Sequence, residues 1–81
     1  MKLPRDVSAS QLVKALSIYQ YTIDRQKGSH IRLSTSLNGQ HHITIPNHDP
    51  LKIGTLSSIL NEIATHLGKS REEVISELFG K

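Results

Sequence analysis

The feature of this sequence best suited to chemistry is one histidine with cations on both sides. His30 follows the pair Gly28 and Ser29, with Lys27 before that pair and Arg32 two residues after the histidine. If the segment is a β-strand, His30 and Arg32 project from the same face, because side chains alternate along a strand. An imidazole changes protonation near neutral pH, so it can accept and donate a proton. Such a group suits phosphodiester cleavage, in which a ribose 2′-hydroxyl loses a proton and the 5′-oxygen gains one.

The residues around His30 have supporting roles in this interpretation. Lys27 and Arg32 would offset the negative charge that develops on phosphorus. Gly28 and Ser29 would bring backbone N–H groups close to a phosphate, so all four residues are predicted to bind substrate. A simpler alternative stays open, in which the cations are merely solvated, Gly28 only turns the chain, and His30 binds phosphate or the turn without catalysis.

Alternating apolar side chains place His30 on a three-stranded sheet. Strands are predicted over 21–25, 29–37 and 41–45. Gln26-Lys27-Gly28 is expected to turn the first hairpin, and Asn38-Gly39 is the strong turn signal of the second. In the second and third strands, leucine and isoleucine occupy the inward positions. The histidine is therefore expected on the opposite, open face of the sheet.

Helices complete the predicted fold. A capping box that starts at Ser8 predicts a first helix over 9–19. Thr55 is expected to cap a second helix, and another capping box at Ser70 begins a short last helix. The order is α-β-β-β-α with an extra short C-terminal helix, which is an α+β class. Eighty-one residues are enough for one domain, and we assign it to 1–81.

The composition narrows the class of protein. A net charge of +3, with five histidines counted as neutral, suits a polyanionic partner. The chain has no cysteine, which excludes disulfides, thiolate metal sites and cysteine nucleophiles and fits a cytoplasmic location. It has no apolar run near the ~20 residues that a membrane span needs, and no secretory signal. We therefore expect a soluble intracellular protein without a membrane partner.

The other histidines are weaker candidates for chemistry. His41 and His42 are neighbours on a strand and point to opposite faces, so they cannot easily share a metal ion. No carboxylate or thiol stands at a useful spacing beside them, and we predict neither a metal site nor a cofactor. His42 faces the same side as His30 and could be a second acid–base group. His66 is expected on the surface of the second helix.

The order of elements resembles that of double-stranded-RNA-binding domains, in which helices cover one face of a three-stranded antiparallel sheet. A helix that lies on RNA phosphates needs cations, but the exposed face of the predicted second helix carries none. Duplex binding through that helix is therefore not expected. The exposed face consists of Ser57, Ser58, Asn61, Glu62 and Thr65.

Four motifs in the same order resemble the HicA (YcfA-like) toxin family and span nearly the whole chain. They are Lys2-Leu3-Pro4-Arg5-Asp6-Val7-Ser8, Arg25-Gln26-Lys27-Gly28-Ser29-His30, Pro46-Asn47-His48 and Gly54-Thr55-Leu56. The resemblance implies an mRNA interferase with a double-stranded-RNA-binding-like fold, which cleaves mRNA without metal through one catalytic histidine, here His30. The segment 61–67 is longer than the family pattern, which leaves the placement of the last helix open.

The resemblance also implies a partner. A HicB-type antitoxin would bind the toxin and cover its active site, and operator DNA would be contacted only indirectly, through the antitoxin complex. Two other functions stay open from the residues alone. A non-catalytic RNA- or DNA-binding module would use the same basic face and create no new RNA ends. A domain that only binds a partner would be harmless when expressed alone.

Overall fold

The fold contains one three-stranded antiparallel sheet, with its strands in the order β1-β2-β3. The structure is a computed structural model and describes residues 3–80. It confirms the α+β class and the α-β-β-β-α order with an additional last helix, compatible with a double-stranded-RNA-binding-like fold. The elements are α1 (Ala9–Ala15), a 3₁₀ turn (Leu16–Tyr19), β1 (Thr22–Lys27), β2 (His30–Thr35), β3 (His41–Pro46), α2 (Ile53–Leu67) and α3 (Arg71–Phe79).

The inward face of the sheet forms the core together with the helices, as the alternation of residue types predicts. On β2, Ile31 and Leu33 are buried, whereas His30 is exposed. Leu33 pairs with Ile43 on β3, which is also buried. His30, Arg32 and Ser34 therefore share the face of the sheet that points away from the core, whereas the polar Thr35 lies on the inward side. The fully buried large side chains are Tyr21, Leu12, Leu16, Leu33, Ile45, Leu56, Leu60, Ile63, Ile75 and Val74.

Capping boxes fix the starts of α1 and α3, as predicted. The Ser8 hydroxyl accepts a hydrogen bond from the Gln11 backbone N–H at 3.1 Å, and the Gln11 side chain accepts one from the Ser8 N–H at 2.8 Å. Ser70 and Glu73 repeat the arrangement at 3.0 and 2.9 Å. Each cap satisfies backbone donors that would otherwise have no partner and contributes about 1 kcal/mol.

Two helix boundaries differ from the sequence prediction, and tertiary contacts explain both. The first helix ends at Ala15, and the 3₁₀ turn that follows it stops where the buried Thr35 hydroxyl donates to the Tyr19 carbonyl at 2.9 Å. The second helix starts at Ile53 with Lys52 as its N-cap, so Thr55 does not cap it. Leu51 is held just before the helix because its N–H donates to the Val7 carbonyl at 2.7 Å.

The strand ends also shift, which matters for the candidate site. The first strand extends to Lys27, so Gly28 and Ser29 alone form the turn. Gly28 has a φ of +58°, and Ser29 is not in the left-handed region, a pattern that matches a type II′ hairpin turn. The consequence is that Lys27 becomes the direct cross-strand partner of His30.

His66 was expected on the helix surface, but it is half-buried and joins α2 to the β2–β3 turn. Its Nε2 lies 2.9 Å from the Leu37 carbonyl oxygen and 3.0 Å from that of Gly39. Because carbonyl oxygens only accept, Nε2 carries the proton. The ring stacks on His41 at 4.3 Å between centroids, and His41 Nδ1 lies 2.7 Å from the Tyr21 hydroxyl. Burial raises the pKa of Tyr21 to about 12, so its hydroxyl keeps its proton near neutral pH.

We expect acid to destabilise the protein through His41. Burial, and secondarily the neighbouring His66, lowers the pKa of His41, whereas the unfolded chain has the ordinary value of about 6.5. The unfolded state therefore binds a proton first, and stability is lost as the pH falls below about 6.5 through the lower folded value. Thermal unfolding midpoints from pH 7.5 to 5 should decline in the wild type and less steeply in His41→Gln. His48→Gln, an exposed loop position, is the matched control, and an unchanged slope in His41→Gln would contradict the assignment.

Among the described residues, no helix combines the length and the apolar character that crossing a membrane requires.

Candidate active site

His30 is the first residue of β2 and lies on the open face of the sheet, exposed to solvent. Its direct partners are Lys27 on β1 and Pro46 on β3. Side chains of direct cross-strand partners have Cβ atoms about 4.5–5.5 Å apart and project from the same face. Lys27 is therefore the cation that the sheet places closest to the imidazole.

The turn before His30 is anchored at its base and open at its tip. The Ser29 carbonyl accepts a hydrogen bond of 2.6 Å from the Asn47 N–H, which ties the turn to the residue that follows β3. A Cβ added to Gly28 would meet nothing within 4 Å. A phosphate can therefore approach the backbone of this turn, and the imidazole beside it is held on a fixed strand.

Arg32 shares the open face with His30 but is engaged by a residue that sequence reasoning missed. Its Nε lies 3.5 Å from Asp24 Oδ1, and His42 Nδ1 lies 3.6 Å from the other oxygen of the same carboxylate. A register shift between Ile23 and Arg25 makes Asp24 the extra residue of a β-bulge. Alternation from Ile23 does put Asp24 on the open face, but its contacts with Arg32 and His42 depend on how the strands pair, which the sequence does not show.

The register also sets how far each side chain lies from His30. Arg32 is two residues along β2, or about 7 Å, and Ser34, the partner of His42, is four residues along, or about 14 Å. His42 does lie on the same face, as its position in the strand predicts. This spacing places it too far along the sheet to share one phosphate with His30, so we do not assign it the second acid–base role.

The site is an open surface, not a cavity. None of the three concave regions that we describe includes His30. The largest, about 650 Å³, lies at the start of α2 and includes Arg5, Lys52 and Arg71 in its wall. A polymer that lies across a sheet needs no enclosed pocket, and single-stranded nucleic acids bind such surfaces through cations and exposed rings. Within residues 3–80, no group of three His or carboxylate side chains is arranged to hold a metal ion.

Comparison with known families decides the class of protein. The family model described as HicA toxin of bacterial toxin-antitoxin matches residues 9–64, more than half of the chain. The chain belongs to the HicA toxin family. It is thus a toxin of a toxin–antitoxin system, and the HicA family implies a cognate antitoxin as its partner. Searches of curated proteins and of solved structures found no match.

The HicA match covers α1, the whole sheet and most of α2, and therefore includes every predicted site residue. Lys27 and His30 are brought together as a cross-strand pair, with Gly28 and Ser29 as the turn between them. Arg32 lies farther along the same face. The last helix, α3, lies beyond the HicA match and packs Val74 and Ile75 into the core.

Proposed function

We propose that this HicA-family toxin is a metal-independent endoribonuclease that cleaves single-stranded mRNA with His30 as its catalytic residue. The observation that supports the proposal best is the exposed imidazole of His30 directly opposite Lys27, on the face of the sheet turned away from the core. RNA supplies its own nucleophile, so the reaction requires a proton carrier and positive charge and needs no cofactor. We propose that it takes place in the cytoplasm.

The proposed reaction uses one imidazole twice. Neutral His30 accepts the proton of the ribose 2′-hydroxyl as that oxygen forms a bond to phosphorus. The bond between phosphorus and the 5′-oxygen then breaks, and the imidazolium gives its proton to this leaving oxygen. The products are a 2′,3′-cyclic phosphate and a 5′-hydroxyl, and His30 returns to its neutral form.

The neighbours of His30 are proposed to bind the RNA backbone. Lys27 offsets the charge on the phosphate that reacts, because it stands in the same cross-strand pair as the imidazole. The Gly28-Ser29 turn offers backbone N–H groups to the same phosphate. Arg32, about 7 Å along the strand, is suited to a neighbouring nucleotide.

Neutralisation by a HicB-type antitoxin is part of the same proposal. The candidate active site is an exposed strand face with its cations accessible, so a protein that lies on this face would exclude RNA directly. Operator DNA would be contacted through the antitoxin complex.

The proposal is tested with purified protein and labelled single-stranded RNA in excess chelator. New RNA ends are expected at the same rate with and without the chelator, and a DNA oligonucleotide of the same sequence should stay intact because it lacks the 2′-hydroxyl. Loss of activity in the chelator would exclude the metal-independent mechanism. Salt-dependent binding without new ends would instead favour a non-catalytic RNA-binding module.

The role of Lys27 makes a separate prediction. Replacing Lys27 by Gln removes one phosphate contact, so the slope of log affinity against log salt should become shallower by about 0.7. The measurement is fluorescence anisotropy with 2′-O-methyl RNA, which cannot be cleaved. Lys14→Gln is the matched control, since Lys14 is exposed on α1 at the helical side of the sheet. Equal salt slopes in the two variants would show that Lys27 does not contact an RNA phosphate.

A further inference from the structure

Asp24 places a negative charge on the surface that is proposed to bind phosphates. Within the three strands, all of which lie in the described part of the chain, it is the only acidic residue. Its carboxylate projects over the open face, where it contacts Arg32 on β2 and His42 on β3. A negative charge in this position repels the RNA backbone, so backbone binding does not explain it.

A β-bulge brings Arg25 onto the open face beside Asp24, which already faces that way because it follows the inward-facing Ile23. Ile23 pairs with Leu33 and Arg25 pairs with Arg32, so Asp24 is left without a partner between them. Bulges re-aim side chains and are over-represented beside active sites. An ordinary surface ion pair contributes only about 0–1 kcal/mol, so the contact with Arg32 does not by itself explain a bulge at this carboxylate.

The carboxylate of Asp24 has unused capacity to accept hydrogen bonds. Its contacts with Arg32 Nε and His42 Nδ1, at 3.5 and 3.6 Å, are longer than the roughly 2.7–2.9 Å of a charge-assisted hydrogen bond. The described residues donate no hydrogen bond to it, and its side chain is 34% exposed. Arg32 Nε is itself shielded from solvent without a hydrogen-bond partner, so Arg32 fixes the carboxylate by charge and leaves its oxygens free.

We propose that Asp24 reads a base of the RNA, at a nucleotide next to the cleaved bond, and selects one with an exocyclic amine. This inference rests on the proposed RNA substrate. Arg32 lies about 7 Å along β2 from His30, so a strand that crosses the open face places a neighbouring nucleotide over Asp24. The carboxylate accepts a hydrogen bond from the amine of cytosine, adenine or guanine. Uracil presents a carbonyl oxygen where cytosine has its amine, and the carboxylate repels it.

The test compares cytosine with uracil, which have the same ring size. Short 2′-O-methyl oligonucleotides are used, one all uridine and the others with a single cytidine at each position in turn. At one position, cytidine should tighten binding to the wild type about tenfold, the effect of one good contact to a base edge. In Asp24→Asn the ratio of the affinities for the cytidine and uridine oligonucleotides should fall to about one. An amide donates a hydrogen bond to uracil as readily as it accepts one from cytosine.

Two further variants separate base reading from general effects. Glu62→Gln removes one carboxylate from the exposed face of α2, on the helical side of the sheet, and should keep the wild-type ratio. Asp24→Glu keeps a carboxylate and should retain a ratio above one. A wild-type ratio of one at every position, or a preference that survives in Asp24→Asn, would overturn the inference.

The outcome is independent of catalysis. Because 2′-O-methyl RNA cannot be cleaved, the binding ratio is measured even if the protein proves not to cut RNA, in which case only the proposed reaction fails. If the protein cleaves RNA but binds cytidine and uridine equally at every position, Asp24 does not read a base. The proposed reaction is unaffected by that result.

Discussion

Replacing His30 by alanine is expected to slow RNA cleavage by about 10²- to 10⁴-fold, the usual contribution of a general acid–base group. The imidazole is exposed at the start of β2, so its removal leaves no cavity, and the stability should stay within about 0.5 kcal/mol of the wild type. Single-turnover rates on labelled RNA and a thermal melt measure the two effects. Growth arrest upon induction should disappear in the same variant.

His48→Ala is the matched control for this experiment. His48 is also exposed and lies in the loop after β3, but the structure places it outside the cross-strand pair of Lys27 and His30. This variant should keep the wild-type rate. If His30→Ala cleaved RNA as fast as His48→Ala, His30 would not be the catalytic residue.

Replacing Leu33 by alanine should have the largest effect on stability, a loss of about 2–5 kcal/mol. Leu33 is 0% exposed and lies on the central strand, so truncation leaves a cavity directly behind the open face. Net stabilities of domains are only about 5–15 kcal/mol, so the variant should be close to unfolding. Urea denaturation measures the change.

The chain offers a close control for Leu33. Ile23 is its cross-strand partner on β1 and is 48% exposed, so Ile23→Ala loses much less buried surface. We expect the urea unfolding midpoint of Ile23→Ala to fall by only a small fraction of the fall seen in Leu33→Ala. Equal losses at the two positions would mean that the inward face of β2 is not the centre of the core.

The features that could be predicted from the sequence are those set by neighbouring residues. Alternation along 30–35 correctly placed His30 and Arg32 on one face and Leu33 on the other. The capping boxes at Ser8 and Ser70 marked the starts of two helices because serine and a residue three positions later satisfy each other's backbone groups. The order of elements, and with it the fold class, followed from these local signals.

The features that could not be predicted depend on contacts between distant segments. The bulge at Asp24, which also brings Arg25 onto the open face, arises from the pairing of β1 with β2, and no property of residues 22–27 alone requires it. His66 is drawn inward by carbonyl groups of the β2–β3 turn, 27 and 29 positions away in the chain. The distance of His42 from His30 likewise follows from the register of β3 and not from its residue type.

The chemical identity of the new RNA ends tests the central claim most directly. RNA cut by the wild-type protein in excess chelator should carry a 2′,3′-cyclic phosphate on the upstream fragment and a 5′-hydroxyl on the downstream one, as resolved by mass spectrometry. These ends require attack by the substrate's own 2′-oxygen, which is the reaction that a lone imidazole beside a lysine can support. A 3′-hydroxyl with a 5′-phosphate would instead show attack by water and would contradict the role given to His30.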